Sequence, residues 1–223
     1  MSLNALLFDL DGTLVDSDAL HIQAFRAVAA EHGVSFDADF FARHMSGHTN
    51  AQICLSLFPD LSAAEHERIA DEKEALFRRL LEGASLAIPG VVPLVEWALD
   101  RGMSVGVVSN APPANVRAVV QSLGLAGKFA VEICGGSVPR GKPDPMPYRV
   151  ALERLGVPGE RAVAFEDTPL GIRAAVGAGI ATVGLTTTQP EENLLAAGAL
   201  LAVKTYEDQR LTAFLAERLS MAS

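Results

Sequence analysis

The sequence predicts an α/β fold, a parallel sheet with a helical domain inserted into it, and three observations predict it. Short apolar runs without a helical period recur along the chain and end in acidic or turn residues. Helix-length amphipathic segments separate the later runs, with proline early and glycine late in each. The first run ends at Leu10 and the second starts only at Met103, whereas a βαβ unit takes about 30 residues.

Residues 5–10 (ALLFDL) read as the first buried strand. The long interval that follows holds several helical patterns and no convincing strand, so residues 17–87 are expected to form an inserted helical domain. There Asp18 or a neighbour starts a helix that Gly33 ends, and Ser62-Ala-Ala-Glu65 is a capping box opening a longer one. The expected hinges are the segment after Asp16 and the Ile88-Pro89-Gly90 turn, which leaves residues 1–16 and 88–223 as the sheet domain. Further strands are expected at 103–108, 130–134, 162–165 and 181–183. Helices are expected at 113–123, 145–155 and 169–178, closed by Gly124, Gly156 and Gly179.

Composition excludes several function classes. The 49% hydrophobic and 20% charged residues describe a globular chain with material for a sizeable core. A net charge of −9 without any Lys/Arg block argues against nucleic acid and against anionic membrane. Apolar stretches such as 194–203 fall short of the ~20 residues a bilayer requires, and no secretory signal is recognisable. Cys54 and Cys134 show neither a disulfide framework nor zinc-ligand spacing and read as small core residues of a reducing compartment. A cytoplasmic monomer is expected.

The sharpest chemical feature is Asp9-Leu10-Asp11-Gly12-Thr13. Side chains at i and i+2 of a strand point the same way, so both carboxylates can face one hollow beyond the strand's C-terminal end, where open α/β sheets bind ligands. The plainer alternative is an acidic turn; an EF-hand is excluded because Leu14 and Leu20 stand where it needs Gly and Glu. Glu166-Asp167 closes another strand. If the two strands are neighbours, Asp9 and Asp167 can share a magnesium-sized cation, the alternative being an acid pair favoured by a helix dipole. Ser109-Asn110 at a third strand end suits phosphate oxygens or a helix cap. Lys142 lies between Gly141 and Pro143 and is one of four lysines, with Lys73, Lys128 and Lys204, among 18 basic residues, which suggests a compact ammonium chosen for its site. Lys73 falls inside the apolar stripe Ile69, Lys73, Leu76, Leu80, either snorkelling or reaching a ligand. His21 shares a stripe with Phe25 and Val28, as a core histidine or a ligand contact. His44 and His48 have i,i+4 spacing, but Gly47 and the lack of a third ligand argue against zinc.

Taken together, FDLDGTLVDS at 8–17, VVSN at 107–110, GKPDP at 141–145 and FEDTPLGIRAAVGAG at 165–179 resemble, in order, the four motifs of the haloacid dehalogenase superfamily. The insert resembles its subfamily I cap, and the closest likeness is to the β-phosphoglucomutase and sugar-phosphate or phosphoglycolate phosphatase group. The resemblance implies a Rossmann-like core and a Mg2+-dependent phosphatase acting on a small phosphorylated metabolite. It implies Asp9 as the nucleophile forming an aspartyl-phosphate, and Asp11 as the acid/base. The metal would be held by Asp9, the Asp11 carbonyl and Asp167, with Glu166 at or just outside the coordination sphere. Thr13, Ser109, Asn110 and Lys142 would hold the phosphate. His21, Lys73 and the loop Ser46-Gly47-His48-Thr49-Asn50 are the candidate cap contacts. A mutase of that group has an arginine where Asn50 stands, which favours hydrolysis. A dehalogenase would need neither metal nor Asp11. A nucleotide-binding reading of Gly136 to Lys142 fails because Pro143 stands where Ser or Thr would hold magnesium.

Overall fold

A computed structural model describes residues 3–37, 40 and 49–220. The chain divides into two compact units, one of residues 1–16 with 86–223 and one of residues 17–85.

The larger unit is a parallel sheet of six strands in the order β3-β2-β1-β4-β5-β6. They are β1 (Ala5–Phe8), β2 (Ser104–Val108), β3 (Val131–Ile133), β4 (Ala162–Glu166), β5 (Ala181–Leu185) and β6 (Leu201–Val203). Each strand is short and β1 and β4 are buried throughout, as expected where helices cover both faces of a parallel sheet. From β1 the chain builds outward on one side through β2 and β3, then returns to lay β4 on the other side. The order therefore reverses beside β1, and the crevice at the carboxyl ends of β1 and β4 is the switch point at which such sheets take ligands. Phe8 pairs with Val107 on one side and Phe165 on the other. Its ring stacks on Phe165 with centroids 4.9 Å apart, and Tyr206 meets Phe165 edge-on. This aromatic layer packs beside the residues that follow β1.

The sheet unit's helices show the expected punctuation. Proline opens the helix Pro113–Ser122, and Gly156 closes Met146–Leu155 in the left-handed conformation. The helix Pro169–Gly177 starts from Thr168, whose hydroxyl accepts the Gly171 N–H. β6 was not anticipated. The apolar stretch 194–203 is split by Gly198 into the end of the helix Glu191–Ala196 and an edge strand paired with β5, so neither part shows a period of its own. Residues 86 and 87 belong with the sheet because Asp16 N–H donates to the Leu86 carbonyl and Val15 bridges Ala87. Helices of this unit are labelled α4 (Val91–Asp100), α5 (Pro113–Ser122), α6 (Met146–Leu155), α7 (Pro169–Gly177), α8 (Glu191–Ala196) and α9 (Gln209–Ser220).

The smaller unit contains, among the described residues, α1 (Asp18–Glu31), α2 (Asn50–Leu57) and α3 (Ala63–Leu81). Phe25, Val28, Ile53, Cys54, Leu57 and Ile69 form its core. Ser62 and Glu65 make both bonds of the capping box, and an unanticipated second box joins Thr49 and Gln52. The buried stripe of α3 is Ile69, Lys73, Phe77 and Leu81, with Glu74 beside it. Leu76 and Leu80, expected in the stripe, are half-buried at its margins. The spacing is thus 4-4-4, because ring-sized Phe77 takes the central place. Cys54 and Cys134 are both buried free thiols. Among the described residues no helix is long and apolar enough to cross a membrane.

Candidate active site

The site is built from residues that end or follow five strands, β1 to β5. β1 ends at Phe8, not at Leu10, but its pairing runs one residue further, since Asp9 N–H donates to the Phe165 carbonyl at 3.0 Å. Leu10 then turns fully into the core, and Asp11 enters a tight turn in which Gly12 N–H donates to the Val15 carbonyl at 2.7 Å. The presentation of Asp9 and Asp11 is therefore set by this turn rather than by strand alternation alone. Gly12 has φ +71, and a β-carbon there would overlap the Asp167 carboxylate. Glycine is required for the left-handed backbone and for the close approach.

Since β4 lies beside β1, Glu166 and Asp167 arrive next to Asp9. One oxygen from each of the three carboxylates lies within 4.8 Å of the others. Asp167 is held by the Thr188 hydroxyl, 2.6 Å from its Oδ2, and Thr13 Oγ1 stands 3.5 Å from its Oδ1, at the limit of a hydrogen bond. Asp11, half-buried, is not part of this three-carboxylate group.

Lys142 reaches the group from the loop between β3 and α6. Its Nζ lies 2.6 Å from Asp9 Oδ1 and 2.6 Å from Glu166 Oε1, and its side chain is 6% exposed. Asn110 fixes the lysine's backbone: its Oδ1 accepts the Lys142 N–H at 3.0 Å and its Nδ2 donates to the Lys142 carbonyl at 3.2 Å. The Asn110 amide thus serves the lysine. Ser109 is buried and its hydroxyl accepts the Ala111 N–H at 3.0 Å; this is a bond within the loop, since the helix Pro113–Ser122 is capped at Pro112 without a side-chain hydrogen bond.

Burial raises Asp9 above the usual aspartate range, with the Lys142 ammonium opposing it. Burial pushes Glu166 up to about 7, again with Lys142 opposing and the Asp9 charge adding to the rise. Burial alone would lower Lys142, but Asp9 and Glu166 outweigh it and hold the ammonium above its ordinary value. Burial, then the charges of Glu166 and Asp9, drive the Tyr148 phenol well upward, so it remains a donor. Three clustered carboxylates face one lysine, and Glu166 Oε2 is buried without a hydrogen-bond partner among the described residues. Oxygen donors in negative surplus, one of them unsatisfied, fit a hard divalent cation.

In the helical unit, the three candidate contacts come together around a residue that was not anticipated, Glu74. Lys73 Nζ lies 2.9 Å from Glu74 Oε1 and 2.7 Å from His21 Nδ1. Asn50 Nδ2 donates to the same Glu74 oxygen at 2.5 Å. Lys73 is 2% exposed and sits 4.6 Å from the Phe25 ring centroid, while His21 stacks on Phe77 at 3.9 Å. Snorkelling is thereby replaced by a buried ion pair. His44, Ser46, Gly47 and His48 lie outside the described residues.

Tyr148 and Thr188 were also missed. Tyr148 donates to Glu166 Oε1 at 2.6 Å. The signal was its scarcity, since the chain has two tyrosines, and both are buried, Tyr206 donating to the Thr13 carbonyl. For Thr188 it was the run Thr186-Thr187-Thr188 after β5, at the same carboxyl edge.

A switch-point crevice holding an Asp-x-Asp-Gly turn, a lysine and an acid pair defines a parallel α/β hydrolase core. The model of the haloacid dehalogenase-like hydrolases matches residues 3–179, and the chain belongs to that family. It is 33% identical over 195 residues to validoxylamine A 7'-phosphate phosphatase of Streptomyces hygroscopicus subsp. limoneus, covering 87% of this chain and 91% of that one. It is 31% identical to a phosphorylated carbohydrates phosphatase of Thermotoga maritima, covering 92% and 96%. Among solved structures, CbbY of Rhodobacter sphaeroides in complex with xylulose-(1,5)bisphosphate superposes with a TM-score of 0.84 at 28% identity, over 92% of this chain and 96% of that one.

Proposed function

We propose that the chain is a magnesium-dependent phosphatase that hydrolyses a small phosphorylated metabolite, of the sugar-phosphate or phosphoglycolate kind, through an aspartyl-phosphate on Asp9. The observation that carries this reading is the Lys142 ammonium 2.6 Å from Asp9 Oδ1, at the edge where Glu166 and Asp167 also converge. Its relatives' names, a phosphatase of validoxylamine A 7'-phosphate and one of phosphorylated carbohydrates, support the substrate class.

A carboxylate approaching a phosphate dianion meets repulsion of about 4 kcal/mol per unit charge pair at 4 Å and effective dielectric 20. Lys142 offsets part of it and draws the phosphoryl oxygens toward Asp9. The Asp9, Asp167 and Glu166 side chains and the Asp11 carbonyl would hold Mg2+, which when bound supplies the remaining positive charge. An Asp9 oxygen then bonds to phosphorus as the ester P–O bond breaks, and Asp11 gives its proton to the departing alkoxide. In the second half Asp11 takes a proton from water, the water oxygen bonds to phosphorus, and the bond to Asp9 breaks to release phosphate. Thr13 and Ser109 complete the phosphate cradle, with Asn110 acting through Lys142. The helical unit, as a cap, supplies selectivity. Asn50 is engaged with Glu74 and brings no cation for a second phosphate, which favours hydrolysis over phosphoryl return to a sugar.

A panel of phosphorylated metabolites assayed with Mg2+ and with a chelator tests the reading. Release of phosphate from at least one ester, lost in the chelator, is expected. No release from any ester, or undiminished release in the chelator, overturns it.

A further inference from the structure

Glu166 closes β4 with no exposed surface, and its two oxygens have different surroundings. Oε1 accepts the Tyr148 hydroxyl at 2.6 Å and pairs with Lys142 at 2.6 Å, whereas Oε2 has no hydrogen-bond partner among the described residues. Gly171 of α7 lies flat against the carboxyl group, so that a β-carbon there would overlap it; the group cannot swing toward that helix. A buried carboxylate oxygen without a donor is costly, and Asp9 and Asp167 each bring an oxygen within 4.8 Å of the group. Tyr148 is itself 0% exposed, set in the apolar cluster with Ile133, Leu152 and Ala174, and its ring centroid is 5.4 Å from Lys142 Nζ. The phenol is therefore a fixed post. Because a carboxylate is planar, pinning one oxygen sets the direction of the other.

We propose that Tyr148 is a positioning residue of the metal site: by holding Glu166 Oε1, it commits Oε2 to the cation position shared with Asp9 and Asp167. This rests on the reading of that group as a cation site, and extends it to a residue that touches neither metal nor substrate. Groups that orient a metal ligand from behind are typically worth about 10–100-fold in metal affinity.

The test is Mg2+ binding by titration calorimetry on wild type, Tyr148→Phe, Glu166→Gln and the double variant, with circular dichroism and thermal melts reporting folding. Tyr148→Phe is expected to weaken Mg2+ by about tenfold or more. Glu166→Gln, which keeps an acceptor for Tyr148 and Lys142 but loses the free oxygen, is expected to weaken it further. The double variant should match Glu166→Gln alone, because Tyr148 acts only through that carboxylate. A merely structural role would lower the melting temperature and leave the Mg2+ affinity of the folded protein unchanged; that result, or full additivity, overturns the proposal. Should Tyr148→Phe fail to fold, wild type labelled with 3-fluorotyrosine reads the same point. Its two fluorine resonances are separated by Tyr206→Phe, and saturating Mg2+ must move that of Tyr148; a resonance that stays still overturns the proposal. Wild type that binds no Mg2+ and releases no phosphate removes the functional reading as well, whereas a binding, active wild type with an indifferent Tyr148→Phe removes only this inference.

Discussion

Each unit of the molecule buries a lysine against carboxylates, and the two clusters differ in charge balance. Among the described residues, Lys73 in the helical unit pairs with one carboxylate, Glu74; the Asn50 amide donates to the same carboxylate and the His21 ring lies within hydrogen-bond distance of Lys73. One ammonium there pairs with one carboxylate. At the sheet edge Lys142 lies between Asp9 and Glu166, with Asp167 beside them. Three carboxylates cluster around one ammonium there, and Glu166 Oε2 has no hydrogen-bond partner among the described residues. Burial of an ion pair is thus no mark of chemistry by itself. A folded core tolerates a matched pair at modest cost, while clustered carboxylates perturbed by burial and by one another are characteristic of functional sites.

Substitutions that change these balances sharpen the comparison. The largest effect is expected at Asp9: Asp9→Asn should lower phosphate release by at least about 10⁴-fold with the circular dichroism spectrum kept, and near-normal turnover would remove Asp9 as nucleophile. Lys142→Met, which leaves the acid group without its ammonium, should lower turnover roughly 10²- to 10³-fold, measured at saturating Mg2+. In the helical unit the expected losses are in stability. Lys73→Met or Glu74→Gln alone strands one member of a buried pair and should cost about 3–5 kcal/mol by denaturant unfolding. The double change should cost clearly less than the sum of the two; additive losses would show that the pair is not coupled.

The smallest expected effect is one of pH. Burial alone would raise the Glu74 carboxyl, but Lys73, the Asn50 amide and His21 outweigh it and hold the group below its ordinary value of 4.5. Its stabilising contribution is therefore complete above that value and is lost as the pH falls through the lower, folded-state value. Melting temperatures taken across this acid range should drop, and Glu74→Gln should flatten that part of the curve; an unchanged slope in the variant would assign the acid sensitivity elsewhere.

Much of the sheet unit was legible because its signals are local. The proline and glycine that bracket α5 to α7 act through backbone geometry within a turn or two, and Ser62 with Glu65 does the same for α3. β6 was not legible, because a short edge strand beside a short helix carries no period long enough to read. The α3 stripe was read with the right lysine and Ile69 but with Leu76 and Leu80 in place of Phe77 and Leu81, since Leu76, Phe77 and Leu80 are all apolar and only packing chooses Phe77 for the core. Tyr148 escaped for another reason: its partner Glu166 stands 18 residues away, and nothing in its neighbours along the chain marks it as a buried hydrogen-bond donor.

The amino-acid order by itself determined β1 to β5, the helices α1, α3 and α5 to α7, the acidic turn after β1 and the acid pair after β4, because hydrophobic period and turn chemistry act over a few residues. Tertiary structure alone decided that Lys142 stands between Asp9 and Glu166, that Asn110 bonds the backbone of that lysine, and that Tyr148 donates to Glu166. Those contacts join residues separated by long stretches of chain, and a hydrogen bond or ion pair of that kind depends on a distance of a few ångströms that no local pattern encodes.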